Sequence, residues 1–365
     1  MAKTRIHLIA AARPNFMKVA PLYHALAASD WAQPVLVHTG QHYDRNMSDA
    51  ILEDLGIPNP DHHLGVGSGS HAEQTGGVMI AYEKLCQEDR PDCIVVVGDV
   101  NSTAACAMVG AKLWIKVVHL EAGLRSRDRL MPEEINRLVT DAIADVLWTP
   151  SADADENLVS EGVAKERIDL IGNIMIDSFE MMRDKISASN ARAELGLEEN
   201  NYALVTLHRP SNVDEPGPLG SIVDSFVTVS ERIPVVFVAH PRTLKGLERF
   251  DLRDRLESAD GVRLLEPQAY VRFMNLVTGA RLVITDSGGL QEETTYLGIP
   301  CLTLRDNTER PVTITMGTNR LVDTGTLGAA LEQTLNGSAG ESSVPPFWDG
   351  KTAQRAVEAL RKRLA

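Results

Sequence analysis

Short runs of Val, Ile, Leu and Ala alternate with amphipathic helical stretches from one end of the chain to the other. No other feature constrains the fold as tightly. A strand that is apolar throughout, followed by a helix, belongs in a parallel sheet, because parallel neighbours need long crossovers and the crossover helices cover both faces. Runs 6–11, 34–39, 93–97, 116–120, 146–149 and 167–171 are predicted strands, with helices at 47–55, 72–86, 104–113 and 133–144 between them. A second series follows, with strands at 202–207, 234–239, 262–265, 282–285 and 301–304 and helices at 219–231, 271–278 and 290–297.

Two such series predict an α/β chain of two Rossmann-like, doubly wound domains. Its 365 residues exceed the roughly 250–300 at which one core stops growing. The join is expected between Gly172 and Asn200, where helix 176–187 is followed by the polar stretch 198–201, and the domains are taken as 1–172 and 173–365. Gly217, between Pro216 and Pro218, reads as a loop inside the second domain. The Gly-, Ser- and Pro-rich segment 337–350 reads as a flexible approach to a last helix, 352–364, placed to pack back onto the first domain.

Charge narrows the partners. The chain has 50 acidic and 36 basic residues, a net charge of -14, and no basic stripe, which argues against nucleic acid. A few placed Arg residues and helix N-termini still suffice to bind an anionic substrate. The four cysteines, Cys86, Cys93, Cys106 and Cys301, lack C-x-x-C spacing, so neither a zinc site nor a disulfide framework is expected. The early apolar run contains His7 and ends at Arg13-Pro14, a first strand more than a signal peptide. Nothing approaches the ~18 apolar residues of a membrane span, and a soluble, cytoplasmic chain is expected.

Ligands of doubly wound sheets bind beyond the carboxyl ends of the strands. Strand 93–97 runs into Gly98-Asp99-Val100-Asn101, and strand 116–120 into Glu121-Ala122-Gly123-Leu124-Arg125. Met131-Pro132-Glu133-Glu134-Ile135-Asn136-Arg137 comes next. Asp99 has a bland reading as a helix cap and Glu133 as decoration of a helix start. Convergence of Asp99, Glu121 and one of the Glu133/Glu134 pair on one rim favours a reactive site instead. In the second series His208 directly follows one strand and His240 the next, each beside an arginine, which suggests an anion or leaving-group site. Thr285-Asp286-Ser287-Gly288-Gly289 leads from strand to helix, where free N–H groups suit a diphosphate. A carboxylate one turn later is placed to accept from ribose hydroxyls. Arg305 and Arg310 follow another strand, and Arg13 and Lys18 the first. No P-loop is present, and Gly65, Gly67 and Gly69 lack the G-x-G-x-x-G context of a nicotinamide site.

In order along the chain, RPNFMKVAP, TGQHYDRNM, GDVNST, EAGLRS, MPEEINR, GNIMID, LHRPSN, DSGGLQEET and RDNTERP resemble the non-hydrolysing UDP-N-acetylglucosamine 2-epimerases. The resemblance implies a glycosyltransferase-B-like architecture with two domains facing a cleft, no metal, no cofactor, a UDP-sugar substrate and a homodimer. It implies Asp99, Glu121, Glu133 and His208 as the catalytic group. Arg13 and Lys18 would contact the sugar nucleotide, joined by Arg137 and Arg209. His240, Ser287, Gly288, Gly289, Glu293 and Arg310 would hold the UDP part. The implied reaction expels UDP to a 2-acetamidoglucal and adds it back with carbon 2 inverted. The chain departs from the family where Ala11-Ala12-Arg13-Pro14-Asn15 replaces a frequent GTRPE, and where Val312 follows ERP. Segment 39–43 looks like the branch without substrate activation. Segment 64–71 is similar to epimerases of a UDP-diacetamido uronic acid, the alternative substrate. A glycosyltransferase of the same architecture or a UDP-sugar sensor is a remoter alternative, which the number of carboxylates disfavours.

Overall fold

Strands β1 (Thr4–Ala10), β2 (Ala32–Gly40), β3 (His62–Val66), β4 (Cys93–Val97), β5 (Lys116–Leu120), β6 (Val146–Thr149) and β7 (Ile168–Leu170) form one sheet. Their order is β3-β2-β1-β4-β5-β6-β7, every pair parallel. This computed structural model describes residues 3–40, 52–337 and 342–364. A second sheet holds β8 (Ala203–Thr206), β9 (Val235–Val238), β10 (Val262–Leu265), β11 (Leu282–Thr285), β12 (Cys301–Leu304) and β13 (Asn319–Val322). Its order, β10-β9-β8-β11-β12-β13, repeats the same winding. Each sheet reverses direction once, between β1 and β4 and between β8 and β11.

The strands follow from their composition. β4 is Cys-Ile-Val-Val-Val, buried throughout, and β-branched side chains fit a pleat covered on both faces. Val35, Val37, Ile94, Val96 and Val117 pack with Tyr82 and Cys106 to form the core of the first unit. In the second, Val205, Val235, Phe237 and Ile284 pack with Ile222 and Phe226, whose ring meets Phe237 edge-on at 5.5 Å. All four cysteines are buried free thiols, and burial pushes Cys86 up to about 11 and Cys93 to about 12. No helix among the described residues is long and apolar enough to cross a membrane.

The helices used below are α1 (Arg13–Ala27), α2 (His71–Glu88), α3 (Asn101–Lys112), α4 (Pro132–Ile143), α5 (Ala152–Ser160) and α6 (Ile174–Ala188). They continue as α7 (Pro216–Ser230), α8 (Pro241–Arg249), α9 (Tyr270–Thr278), α10 (Gly288–Leu297), α11 (Leu327–Leu335) and α12 (Thr352–Leu364). Two compact units result, Met1–Met181 with Pro346–Ala365, and Met182–Pro345. The chain thus changes unit inside α6, not after residue 172. In the first unit Asp177 of α6 accepts from the Thr352 and Ala353 amides at 3.1 and 2.7 Å, capping the free N–H groups that open α12.

Several expectations need correction. β3 and β13 are strands that apolar runs did not announce. Both are edge strands with one neighbour, and β3, His-His-Leu-Gly-Val, is only partly buried along its length. Pro216-Gly217-Pro218 is no loop but the first turn of α7, where prolines fit because those N–H groups have no helical partner. Residues 47–51 of the expected helix 47–55, and most of the TGQHYDRNM motif, lie outside the described residues.

His7 shows how burial couples this fold to pH. It is fully buried in β1, with Nδ1 3.1 Å from the Tyr82 hydroxyl. Burial pushes its pKa down from 6.5 to about 4 against the pull of Asp89, with His62 and Arg5 adding to the drop. Below pH 6.5 the unfolded chain therefore takes up a proton that the folded chain refuses until about pH 4. Stability attributable to this ring is complete at neutral pH and falls on acidification, by about 2 kcal/mol between pH 7 and 5. Urea unfolding at both pH values should show a larger loss in the wild type than in His7→Gln. Equal losses would remove His7 as the cause.

Candidate active site

At the carboxyl edge of the first sheet, the reversal between β1 and β4 brings the first turn of α1 beside the turn after β4. Buried Asn15 ties the two together. Its Oδ1 accepts from the Ala12 and Ala11 amides at 3.0 and 3.3 Å, and its Nδ2 donates to the Val97 carbonyl at 3.3 Å. One turn further on α1, Lys18 reaches Glu121, with Nζ 2.5 Å from Oε2. Glu121 is 5% exposed and its φ is +72°, a left-handed conformation costly for a residue with a Cβ. Its Oε1 is buried with no hydrogen-bond partner among the described residues. An orphaned carboxylate oxygen on a strained backbone is a common mark of a functional position. Gly98 lies against this pair at φ +67°; a Cβ there would be in ordinary contact with Nζ at 3.4 Å and Oε2 at 3.6 Å, so the left-handed backbone and not lack of space calls for glycine.

Asp99 is held from the other side. Arg137 of α4 donates to its Oδ2 from Nε at 3.0 Å and Nη2 at 2.7 Å, leaving the carboxylate 31% exposed. Asn136 donates to the Asp99 carbonyl at 2.9 Å. Arg137 is itself fixed by Glu134, 2.5 Å from Nη1. Glu134 also accepts from the Ser126 and Arg127 amides, both at 2.9 Å. Burial pushes the Glu134 carboxyl up, but these amides and Arg137 outweigh it and hold it below its ordinary value. Of the adjacent pair, Glu134 is therefore spent on structure, and Glu133 is exposed on the first turn of α4. Arg13 opens α1, but its side chain lies outside what the structure describes.

The second sheet repeats the arrangement at its own reversal. Asp286, directly after β11 and fully buried, lies 2.9 Å from His208 Nδ1. It also accepts from the His208 and Arg209 amides, at 3.0 and 2.8 Å, and from Asn212 at 3.0 Å. Burial raises the Asp286 carboxyl, but His208 and these donors prevail and keep it low. His208 remains 42% exposed, its ring centroid 5.8 Å from that of His240. Burial, then His208 and Arg242, push His240 down. The Arg209 side chain is turned back, with Nε donating to the Asp286 carbonyl at 3.0 Å.

The turn after Asp286 opens α10. Ser287, Gly288 and Gly289 are partly exposed there; the Ser287 amide donates to Thr285 Oγ1 at 3.0 Å, and the amides of Gly288 and Gly289 have no helical partner. A Cβ on Gly288 would lie 2.6 Å from Glu309 Oε1 and 2.9 Å from Arg310 Nη1, whereas one on Gly289 would meet nothing within 4 Å. Arg310 is clamped between Glu292, 2.7 Å from Nε, and Glu309, 2.5 Å from Nη1. Arg305 pairs with Glu309 at 2.8 Å, and the two cations overcome burial to hold Glu309 far below the carboxylate range. One turn into α10, Glu293 is buried, and burial lifts it to about 7 with Glu292 adding to the rise. The Tyr270 hydroxyl donates to its Oε1 at 2.6 Å.

Sequence reasoning left out Asn15, Asp286, Asn212 and Tyr270. Asp286 stood in plain view after a strand, in the position Gly98-Asp99 occupies in the first series. The others act through partners more than twenty residues away, or through backbone, and have no local signal.

A family model described as UDP-N-acetylglucosamine 2-epimerase matches residues 24–361. A UDP-N-acetylglucosamine 2-epimerase of Methanocaldococcus jannaschii is 41% identical over 366 residues, 98% of each chain. A UDP-2,3-diacetamido-2,3-dideoxy-D-glucuronate 2-epimerase of Pseudomonas aeruginosa is 37% identical over 368 residues, 98% of this chain and 99% of that one. The solved structure of Methanocaldococcus jannaschii UDP-GlcNAc 2-epimerase in complex with UDP-GlcNAc and UDP superposes with a TM-score of 0.87. It is 40% identical and covers 98% of this chain and 100% of that one.

The two glycines should respond differently to a methyl group. Gly288→Ala is expected to displace Arg310 and Glu309 and to lower the melting temperature by about 2–4 °C, the shift that a loss of roughly 1 kcal/mol gives a unit of this size. Gly289→Ala should keep the wild-type melting temperature. Thermal melts of both variants check this.

Proposed function

The chain belongs to the UDP-N-acetylglucosamine 2-epimerase family, and on that premise we propose that it interconverts UDP-N-acetylglucosamine and UDP-N-acetylmannosamine by inverting carbon 2. The observation that carries this reading is the pair of carboxylates at the first sheet's reversal. Asp99 and Glu121 are each anchored on one oxygen by a cation; the Asp99 carboxylate stays 31% exposed, and the second oxygen of Glu121, though buried, has no hydrogen-bond partner among the described residues. Transfer of a glycosyl group needs fewer such groups.

The chemistry explains the number. The C2 hydrogen is not next to a carbonyl, so its simple removal would leave an unstabilised carbanion. If the C1–O bond to UDP breaks as a base takes the proton, the C–H electrons form a C1–C2 double bond. UDP and a 2-acetamidoglucal result, and re-addition of UDP with a proton on the opposite face of C2 completes the inversion. Acid–base groups are needed on both faces, and Asp99, Glu121 and Glu133 are the proposed set. His208, oriented by Asp286, and Arg310 with the amides opening α10 would stabilise the diphosphate as it leaves. Lys18, Arg137 and Arg209 would support the sugar nucleotide, His240 the UDP side, and Glu293 the ribose hydroxyls. A cytoplasmic homodimer without cofactor completes the proposal.

The Pseudomonas aeruginosa relative supports a second reading, in which the sugar is a UDP-diacetamido uronic acid. Incubation with each nucleotide in turn, followed by proton NMR of the products, separates the two. The first reading expects a manno-configured product from UDP-N-acetylglucosamine; turnover of the uronate alone would replace it by the second. In either case Glu121→Gln should lower kcat by about 10²–10⁴-fold, the usual share of a positioned acid or base. An unimpaired variant would remove Glu121 from the reacting set.

A further inference from the structure

Behind the two carboxylates of the first sheet lies a buried network that the reaction as proposed does not touch. His119, fully buried near the end of β5, spans it. Its Nδ1 lies 2.6 Å from Asp141 Oδ1 and its Nε2 2.8 Å from the Gly98 carbonyl. The ring therefore bridges the Asp141 carboxylate and the Gly98 carbonyl and is held at both of its nitrogens. Asp141, on α4, also accepts from the Gly123 amide at 3.0 Å and pairs with Arg125 Nη1 at 2.7 Å through Oδ2. Arg125 is held in turn by a two-point contact with Glu161, 2.8 and 2.6 Å long.

These contacts have a common geometry. Gly98 immediately precedes Asp99, and Gly123 lies two residues after Glu121. Both glycines take left-handed backbone, φ +67° and +80°, with Glu121 at +72° between a strand and the second of them. The Glu121 turn is secured on each side: the Gly98 amide donates to the Leu120 carbonyl at 3.0 Å, and the Ala122 amide to the Trp148 carbonyl at 3.0 Å. Asp141 adds the third hold, at Gly123, and through His119 it also grips the turn that carries Asp99. A side chain at Gly123 is excluded, since its Cβ would lie 2.4 Å from the Ala154 carbonyl oxygen, so the turn is packed directly against α5. A strained conformation persists only where its surroundings over-determine it, and here one carboxylate does much of that.

We propose that Asp141, acting through His119 and the Gly123 amide, is a positioning residue that sets the spacing of Asp99 and Glu121. It touches no substrate. Its effect falls on the chemical step, where displacements of about 1 Å are costly, and not on nucleotide binding. The inference rests on the epimerase reading above.

Steady-state kinetics and UDP calorimetry on Asp141→Asn, His119→Asn and His7→Gln test it. His7 is equally buried but sits in the middle of β1, beside Ile94 and away from the carboxyl-edge turns, and serves as the control for general loss of stability. Asp141→Asn and His119→Asn should each lose more than tenfold in kcat while KM and UDP affinity stay within about threefold. His7→Gln should lose melting temperature and keep kcat. If Asp141→Asn does not fold, His119→Asn decides, because it removes only the link to Gly98. A kcat within twofold of wild type in the folded variants, or a rise in KM in place of a fall in kcat, overturns the proposal. An inactive wild type would instead overturn the epimerase reading.

Discussion

A parallel sheet wound in both directions has one place at its carboxyl edge where neighbouring crossovers leave to opposite faces. Turns on the two sides of that place are not covered by a helix, and their side chains and amides stay available. In this chain the constraint operates twice. In the first unit it exposes the turns after β1 and β4, and Asn15 stitches them together. In the second it exposes the turns after β8 and β11, and Asp286 does the stitching. Nearly all the polar chemistry described here is attached to one of these four turns or to the strand next door.

At both places the groups proposed to react are half-satisfied. Lys18 holds one oxygen of Glu121 and leaves the other orphaned, and Arg137 holds one oxygen of Asp99. Asp286 orients His208 from one side of its ring. A buried charge without a partner costs several kcal/mol, by an order-of-magnitude account, and one fully paired has nothing left to offer a substrate. The arrangement lies between these limits. Glu293 differs, since burial and Glu292 lift it to about 7, so near neutral pH it is poised between donor and acceptor toward a hydroxyl.

Much of this was legible before any coordinates. Apolar runs such as 93–97 announced the central strands because burial on both faces demands them, and the residues after those strands marked the rims. Edge strands escaped: β3 has only one neighbour and needs no continuous apolar run. Pro216-Gly217-Pro218 misled because prolines at a helix start and in a loop look alike without the cap. The division of labour between Glu133 and Glu134 was open in the sequence. It depends on which one faces the Ser126 and Arg127 amides, a question of helical phase against a neighbouring loop. Asp141 carries no motif of its own, and its meaning emerges only when β5, α4 and two glycine turns are seen together.

The central claim is that carbon 2 loses its hydrogen to the protein and regains one from solvent. The most direct measurement is proton NMR at C2 after incubation with UDP-N-acetylglucosamine in D2O. The account predicts deuterium at C2 in the manno product and, at equilibrium, in the recovered substrate. Formation of the epimer with its original protium retained would contradict it, whatever the residues involved.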